Sequence, residues 1–534
     1  MQRWKSANQQ PLFQLLGSLA LVSALMALAC IFFNPRWDTN DDVAMSMVAH
    51  GYGLAAYGSP HLIFSNVLWG YLIRALPTIG GVLGYSVATV GTIVLAGTAI
   101  TYFLIRAGAG YLTTALAVSL ILLRPTLFPQ FTINAGLLTC AAVLGWLAYA
   151  RDRSTRCLAA AIALAFLAFL VRNLEFVLVL FIALPFLPWR ELKAQRQAQI
   201  AFGFLVIAVL AASWFDHWSY RGAEWDLFLE FNRARAPFTD FGAANRLLAR
   251  PEIMAAHGLS HNDVDLIARW FFVDRFADPK LLSAVLSDIG TSAWAPSLEP
   301  VRVAIASFGR PELLPILLPA LALLALRFDR RLLISWLLCL AAVIAMSIAG
   351  RPGILRVYLP LSIALLVLPI ASGPYLPRVK YAVVLVLLAI ASLANGNAVV
   401  QKAKAFAPRL AQAQSDHFAI PDSILIWGSD FPFQDAFSVL VANPTLMKLR
   451  MFGLGGFTFA PFAVAQEDER AGAGVVSRLR SAGGMQVSTD KTSLKLLGNY
   501  CSEHFGANIE AVVTHKTDLW TVYNVKCPAA SNAK

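Results

Sequence analysis

The chain has 534 residues, of which 58% are hydrophobic and 14% are charged. Soluble proteins carry about a quarter charged residues, so this composition excludes a single water-exposed globule and indicates a polytopic membrane protein. The formal net charge of +12 does not indicate nucleic-acid binding. Its basic residues recur in the short connections between apolar segments, which is the distribution that positive-inside topology produces.

Apolar segments long enough for membrane helices begin near the N-terminus. Residues 12–33 form an apolar stretch without the small-residue cleavage site of a signal peptide, so we predict a retained first helix. Ten further segments bring the expected number of spans to about eleven. They lie at roughly 80–105, 110–123, 131–150, 157–171, 174–188, 200–215, 312–326, 332–349, 357–371 and 380–398.

The connections differ in charge from one side of the predicted membrane to the other. The cytoplasmic side is predicted to receive Arg3, Lys5, Arg106, Arg151, Arg153, Arg156, Arg190, Lys193, Arg196, Arg327, Arg330, Arg331, Arg378 and Lys380. We therefore predict a transmembrane domain at 1–398, with outer loops at 34–78 and 216–311, followed by an extracytoplasmic domain at 399–534.

The apolar stretch 62–76 is predicted not to cross the membrane. It is short and contains Ser65, Asn66 and Arg74, which favours a helix in the outer interface with Trp69 and Tyr71 at the level of the lipid headgroups. If this stretch crossed, every later loop would change sides, and the pattern of basic residues argues against that.

The C-terminal segment has the character of a small α/β domain. Residues 423–427 and 520–525 have the composition of strands, and residues 469–482 are predicted to be helical. Cys501 and Cys527 fall in this domain, where they either form a disulfide or remain free. The sequence contains no metal-ligand spacing, Walker loop, dinucleotide-binding fingerprint or nucleophile elbow.

Acidic residues are rare in the membrane part of the chain. Of the 31 in the sequence, 12 lie at 216–300 and 11 at 399–534, and three of the remaining eight are Asp38, Asp41 and Asp42. Because a carboxylate near hydrocarbon is costly unless it is wetted, paired or functional, this cluster needs an explanation. One alternative is a helix capped by Thr39 or Asn40, with the acids in its first turn. The other is a general base and its partner.

This arrangement resembles the GT-C class of membrane glycosyltransferases. Members that take sugars from polyprenyl phosphates, such as mannosyl and aminoarabinose transferases, commonly have Asp-Glu after the first span, where this chain has Asp41-Asp42. They often continue with Lys-Pro-Pro-Leu and an aromatic helix. This chain keeps the aromatic helix, with Asn66 and Trp69, but lacks the lysine and both prolines. The resemblance implies that 34–78 is the catalytic loop. It also implies that Asp41 is the base and that Asp42 is its partner or a ligand for a divalent cation, Mg²⁺ or Mn²⁺.

A second group of candidate residues, Arg351, Arg356 and Tyr358, precedes a late span on the predicted outer side. Arginines on the outer side are unusual, because basic residues normally concentrate in the cytoplasmic loops of a membrane protein. They either snorkel to lipid phosphates or hold the phosphate of a lipid-linked donor, with Tyr358 assisting through its hydroxyl. GT-C enzymes similarly have outward-facing basic residues near a late span.

Further candidates are weaker. Asp38, Asn66 and Trp69 are candidate substrate contacts. Arg172 and Glu175 are candidates too, although their spacing favours an internal ion pair. The loop segment 230–240 carries Asn, Arg, Asp and aromatic residues that suit sugar recognition, but we favour a solvated loop. Ser260 and Asp263 match a helix N-cap.

The predicted fold class is thus an α-helical polytopic membrane protein of GT-C type with a small C-terminal α/β domain. The predicted function is inverting transfer of a sugar from a polyprenyl-phosphate donor to a glycan, lipid or protein acceptor, at the outer face of a bacterial cytoplasmic membrane. The alternative is a non-catalytic transporter or assembly protein for an envelope glycan. Its partners would be membrane lipid and these substrates, with no nucleic acid.

Overall fold

The computed structural model describes residues 11–290, 298–372, 377–415, 423–428 and 431–528. Arg3 and Lys5, part of the predicted cytoplasmic set, lie outside these residues. Within the described ranges, seven helices are long and apolar enough to cross a membrane. They are α1 (Pro11–Phe32), α4 (Gly84–Arg106), α6 (Phe131–Asp152), α10 (Arg196–Ser219), α18 (Arg330–Ile348), α19 (Leu355–Ser372) and α20 (Arg378–Ser415).

The remaining predicted spans fall on shorter helices. Three apolar helices are α5 (Tyr111–Leu127), α7 (Thr155–Val171) and α8 (Asn173–Ala183). A fourth, α17 (Leu314–Arg327), forms with the preceding segment Glu299–Gly309 a pair bent by 89°. Every one of the predicted apolar segments is therefore helical, which follows from their length and composition. These four helices have between 11 and 17 residues, which is short for a straight crossing of a bilayer.

The centre of the helix bundle is α6, in which every residue from Phe131 to Tyr149 is buried. Helices α4, α7, α8 and α19 pack around it. Glycine permits one of these close contacts, because a Cβ at Gly136 would overlap the ring of Pro360 in α19. A helix that is apolar all round is one that is surrounded by other helices, as α6 is here.

Short helices connect and cover the bundle. They are α2 (Asn40–His50), α3 (Val67–Ala75), α9 (Trp189–Ala194), α11 (Ala223–Asp240), α12 (Ala243–Leu248), α13 (Pro251–Ala256), α14 (His261–Ala268), α15 (Pro279–Ile289) and α16 (Leu298–Ala306). The predicted capping box is confirmed, because Ser260 and Asp263 exchange hydrogen bonds at the start of α14. The stretch 62–76 contains only the nine-residue α3, too short to span. Trp69 is buried there rather than exposed at a headgroup level.

The C-terminal domain contains one five-stranded sheet. Its elements are β1 (Ile424–Ile426), α21 (Phe433–Ala436), β2 (Met451–Gly453), α22 (Val464–Arg470), α23 (Val475–Arg480), β3 (Met485–Ser488), α24 (Lys491–Phe505), β4 (Glu510–Lys516) and β5 (Thr521–Lys526). The strand order is β2-β1-β3-β5-β4; β1 pairs parallel with β2 and β3, and β5 pairs antiparallel with β3 and β4. These observations confirm the predicted fold class of a many-helix membrane protein with a small α/β domain.

Two details of the predicted tail differ from the structure. The single helix predicted at 469–482 is wrong, because Gly472 adopts a left-handed φ of 70° and separates α22 from α23. Helix α20 continues to Ser415, beyond the predicted domain boundary at 398. The predicted strands are confirmed as β1 and β5, and Cys501 is joined to Cys527 by a disulfide.

The C-terminal domain is joined to the loops that follow α1 and α2. Asp435, fully buried, pairs with Arg36 of the loop after α1 at 2.5 Å and with Arg409 of α20 at 3.3 Å. Backbone hydrogen bonds run from the N–H groups of Met451 and Val464 to the carbonyls of Gly53 and Leu54. These contacts close the domain over one end of the bundle and create a cavity beneath it.

Candidate active site

The cavity has a volume of about 470 Å³ and is lined by residues from distant parts of the chain. Bundle and loop residues in its wall are Asn40, Asp41, Ala44, Leu54, Phe64, Phe131, Arg172, Arg235, Asp240, Arg269, Trp270, Arg351 and Arg356. The C-terminal domain supplies Ile426, Gly428, Phe433, Gly453, Leu454, Gly455, Gly456, Phe457, Ala463 and Ala465. Five arginines and two aspartates give this wall an excess of positive charge, which suits an anionic ligand.

Asp41 lies in the first turn of α2, and its side chain faces the cavity. Its Oδ2 accepts a hydrogen bond of 2.6 Å from Nη1 of Arg356. Both side chains are partly exposed, at 24% for Asp41 and 33% for Arg356, so both remain accessible to a ligand. The sequence hypothesis that placed these two groups at one site is therefore consistent with their geometry.

Asp42 points the other way, into the protein. Successive residues of a helix are separated by about 100° around its axis, so the two neighbouring carboxylates face different surroundings. Asp42 is fully buried and accepts hydrogen bonds from the hydroxyls of Thr39 (2.8 Å) and Tyr85 (3.1 Å) and from the N–H of Phe131 (3.1 Å). Burial raises the pKa of the Asp42 carboxyl to about 8. Asp42 thus ties α2 to α4 and α6 and holds Asp41 in place.

The positive side of the cavity contains three of the predicted arginines. Arg351 and Arg356 come from the turn before α19 and its first residues, and Arg172 from the junction between α7 and α8. Arg172 donates to the carbonyl of Phe64 at 2.8 Å, and its guanidinium lies over the ring of Phe131, 5.4 Å from the centroid. The chain is extended at Arg172, which directs the guanidinium into the cavity instead of along a helix.

A second charged group comes from the loop predicted at 216–311. Asp240 lies between two arginines, 3.5 Å from Arg235 and 3.5 Å from Arg351. The guanidinium of Arg235 stacks over the ring of Trp270 at 4.1 Å from the centroid. Burial lowers the pKa of Arg235 to about 10, with Arg351 adding to the effect and Asp240 opposing it, so Arg235 is charged at neutral pH.

Several predicted site residues lie elsewhere. The expected Arg172–Glu175 ion pair is absent between these described residues: Glu175 is buried in α8, and its Oε1 has no hydrogen-bond partner. Asp38 pairs with Arg124 at 3.0 Å and does not line the cavity. Because Arg124 belongs to α5, this ion pair holds the loop after α1 against that helix.

The remaining predicted contacts support neighbouring segments. Asn66 caps α3 by accepting from the N–H of Leu68, and its amide donates to the carbonyl of Ala212. Trp69 is packed in the core and Tyr358 is fully buried. The hydroxyl of Tyr358 accepts from the N–H of Gly353, which fixes the turn that presents the two arginines. These side chains position the site and do not line its cavity.

The cavity residues do not fit the predicted divalent cation. Its two described carboxylates, Asp41 and Asp240, are each paired with arginine, and Asp42 is turned away. Mg²⁺ is usually held by one or two carboxylates together with substrate phosphates and water, and in this cavity guanidinium groups already engage both carboxylates. One described group with closely spaced potential ligands, Asp263, Glu503 and His504, lies outside this cavity.

Part of the site is not evident from sequence. Arg235 and Asp240 belong to the segment 230–240, for which the sequence favours a solvated loop even though its Arg, Asn and aromatic composition suits a sugar. The glycines at 453, 455 and 456 carry no motif of their own. Their position at the end of the apolar strand β2 and just after it could have identified them, because ligands often bind at the carboxyl ends of parallel strands.

Comparison with solved structures finds two crystal structures of ArnT from Cupriavidus metallidurans, one in the apo state and one bound to undecaprenyl phosphate. They are 13% and 11% identical to this chain, with TM-scores of 0.40 and 0.36, and each alignment covers 95% of this chain and 97% of the other. No protein-family model and no curated protein matches the sequence.

Proposed function

We propose that this protein is a membrane glycosyltransferase that moves one sugar from a polyprenyl-phosphate donor to an acceptor at the outer face of the cytoplasmic membrane. The observation that carries the proposal is the convergence of one accessible carboxylate, Asp41, with Arg172, Arg351 and Arg356 in a single cavity. A volume of about 470 Å³ is within the range of small-molecule sites. The cavity therefore combines a proton acceptor with a surface that neutralises phosphate.

The arginines account for the leaving group. Guanidinium groups form paired, charge-assisted hydrogen bonds with phosphate oxygens. When the bond between the sugar and the phosphate breaks, negative charge develops on the lipid phosphate, and fixed positive groups stabilise that charge in the transition state. Arg172, Arg351 and Arg356 supply these groups from two separate chain segments, which encloses the phosphate from more than one direction.

Asp41 accounts for activation of the acceptor. Its Oδ2 is held by Arg356 at 2.6 Å, so this carboxylate oxygen is engaged by the guanidinium group when no donor is bound. A donor phosphate competes for Arg356 because it is itself an anion. Donor binding then releases Asp41 to accept the proton of the acceptor hydroxyl, so the base becomes available when the sugar is present.

The chemistry is a single displacement. The acceptor oxygen forms a bond to the anomeric carbon while the bond to the phosphate oxygen breaks, and the acceptor proton moves to Asp41. Attack opposite the leaving phosphate inverts the anomeric centre. Asp42 stays outside this exchange and acts through the position of α2.

The test is transfer by purified protein in lipid nanodiscs. A panel of polyprenyl-phosphate-linked pentoses and hexoses is supplied with envelope extract as acceptor, and the release of polyprenyl phosphate is measured. We expect Asp41→Asn to lower the rate by at least about 100-fold, as removal of a general base does, with donor binding retained. Asp152→Asn is the matched control and should retain transfer, because Asp152 is also a partly exposed carboxylate paired with an arginine, Arg106, but lies outside the cavity.

Two outcomes contradict the proposal. Transfer by Asp41→Asn at the wild-type rate would refute the assignment of the base. Glycan binding without any release of polyprenyl phosphate by the wild-type protein, across the whole panel, would refute the enzyme and favour a transporter or assembly protein for an envelope glycan.

A further inference from the structure

One wall of the cavity combines aromatic rings with a glycine-rich turn. We call this surface the sugar wall and define it by Phe64, Trp270, Arg235 and Gly456. Phe64 belongs to the loop after α2, Arg235 to α11, Trp270 to the segment after α14 and Gly456 to the C-terminal domain. Four separate segments of the chain therefore build one surface.

The turn that contains Gly456 begins where β2 ends. Strands β1 and β2 are parallel, and their last residues, Ile426 and Gly453, both line the cavity. The hydroxyl of Thr458 accepts from the N–H of Gly455 at 2.7 Å and donates to the carbonyl of Gly453 at 2.8 Å. These hydrogen bonds hold the turn in one conformation at the carboxyl edge of the sheet.

The glycine at 456 is not required by the backbone. Its φ is outside the left-handed region, so other residues adopt the same conformation without strain. A Cβ at this position would lie 3.7 Å from Cζ of Phe64 and 3.9 Å from Nη2 of Arg235, which are ordinary contact distances. A methyl group thus fits, whereas a longer side chain would occupy the space between Phe64 and Arg235. The absence of a side chain at Gly456 therefore leaves space in the cavity between Phe64 and Arg235.

The opposite part of the wall is held firmly. Trp270 has a left-handed φ of 68°, which is costly for a bulky residue, and its ring is stacked on the guanidinium of Arg235. Phe64 packs edge-on against Phe457, with centroids 5.4 Å apart. Fixed aromatic faces with a few polar groups form the usual lining of small-ligand pockets.

We propose that the sugar wall is the subsite for the sugar ring of the donor, and that the missing side chain at Gly456 sets the largest sugar accepted. This inference rests on the proposed function. The ring would lie between the aromatic faces and the glycine turn, with Arg235 and Asp240 within the same cavity to hydrogen-bond its hydroxyls. The phosphate would lie on the other side, at Arg356.

The two halves of the donor are separable by binding measurements. Bare polyprenyl phosphate needs only the arginine side, whereas the same lipid carrying a hexose needs both sides. The variants are Gly456→Ala and Gly456→Leu, with Gly483→Leu as a matched control. Gly483 is an exposed glycine of the same domain, outside the cavity and with an ordinary φ. A Cβ added there would lie 3.9 Å from its nearest neighbour atom, Oγ of Ser481.

We expect Gly456→Leu to weaken binding of the hexose-linked lipid by at least about tenfold while binding of the bare lipid stays within about twofold. A pentose-linked lipid, which lacks the hydroxymethyl group, should lose less affinity than the hexose-linked lipid. Gly483→Leu should bind all three lipids like the wild type, and Gly456→Ala, which adds only a methyl group to the cavity, should bind the hexose-linked lipid with an affinity between those of the wild type and Gly456→Leu. If Gly456→Leu does not accumulate, Trp270→Leu takes its place, because it removes the ring and should produce the same selective loss.

Three results would overturn the inference. One is unchanged binding of the hexose-linked lipid by Gly456→Leu. Another is an equal loss for the bare and hexose-linked lipids, which would indicate a general disturbance. The third is failure of the wild-type protein to bind any polyprenyl phosphate, which would refute the proposed function as well; the first two leave that function intact.

Discussion

Asp42 offers a test that separates the two adjacent carboxylates. Asp42→Asn keeps the shape of the side chain and removes its ability to ionise. The amide oxygen can still accept from Tyr85 and Phe131, and the amide nitrogen can donate to the hydroxyl of Thr39. No contact with the cavity is lost, because Asp42 does not line it.

The size of the expected change in stability with pH follows from the pKa of Asp42, which burial raises from 3.8 to about 8. The folded protein therefore keeps a proton on this carboxyl up to about pH 8, whereas the unfolded chain releases it near pH 4. Folding takes up a proton within this window, so the stability contributed by this group falls as the pH rises. The slope approaches about 1.4 kcal/mol per pH unit, or up to about 4 kcal/mol between pH 5 and pH 8.

The assay is thermal unfolding of wild type and Asp42→Asn in the same detergent across this pH range. The difference between the two melting temperatures should grow in favour of Asp42→Asn as the pH rises, and transfer should stay within about tenfold of the wild type. Asp42→Ala, which loses all three hydrogen bonds, should be destabilised throughout. A difference in melting temperature that does not change with pH would contradict the assignment of Asp42 as a buried, neutral carboxyl. A loss of transfer as large as that of Asp41→Asn would show that Asp42 takes part in catalysis together with Asp41.

Three further predictions concern stability. Asp435→Ala should lower the free energy of unfolding by about 3 kcal/mol, because it leaves its arginine partners unpaired, and limited proteolysis should release the C-terminal domain. Gly70→Ala should cost about 1–3 kcal/mol, since its Cβ would overlap the carbonyl of Pro60; an unchanged melting temperature would contradict that packing. Replacing Cys501 and Cys527 by serine should cost about 3 kcal/mol, measured by thermal unfolding with and without reductant, and the reductant should have no effect on the double variant.

The helices and the centre of the site could be predicted from sequence because each depends on local composition. Apolar segments of sufficient length have few alternatives to a helix in a membrane. Asp41, Arg351 and Arg356 stand out because ionisable residues are rare there and expensive to place without a function. Composition alone does not predict that they meet in one cavity, since 310 or more residues separate Asp41 from the two arginines; the resemblance to GT-C enzymes is what suggests it.

The direction of a side chain was the main quantity that sequence did not supply. Tyr358, Asn66 and Trp69 are near the site but point into the protein, where they fix a turn, cap a helix and fill the core. Asp41 and Asp42 illustrate the same limit, because adjacent residues of identical chemistry face a cavity and an apolar interior. Composition identifies the neighbourhood of a site, and helix orientation within the fold decides which members reach the ligand.

The position of the C-terminal domain changes how the two functional hypotheses can be separated. On sequence grounds alone, a glycan phenotype that appears only when the tail is deleted would favour a binding protein over an enzyme. The domain, however, supplies Gly453, Gly456 and Phe457 to the same cavity as Asp41, and it is joined to the loop after α2 by backbone hydrogen bonds. Deletion would open the catalytic cavity to water and abolish transfer in an enzyme too. Only substitutions confined to one wall, at Asp41 on one side and at Gly456 on the other, distinguish loss of chemistry from loss of sugar binding.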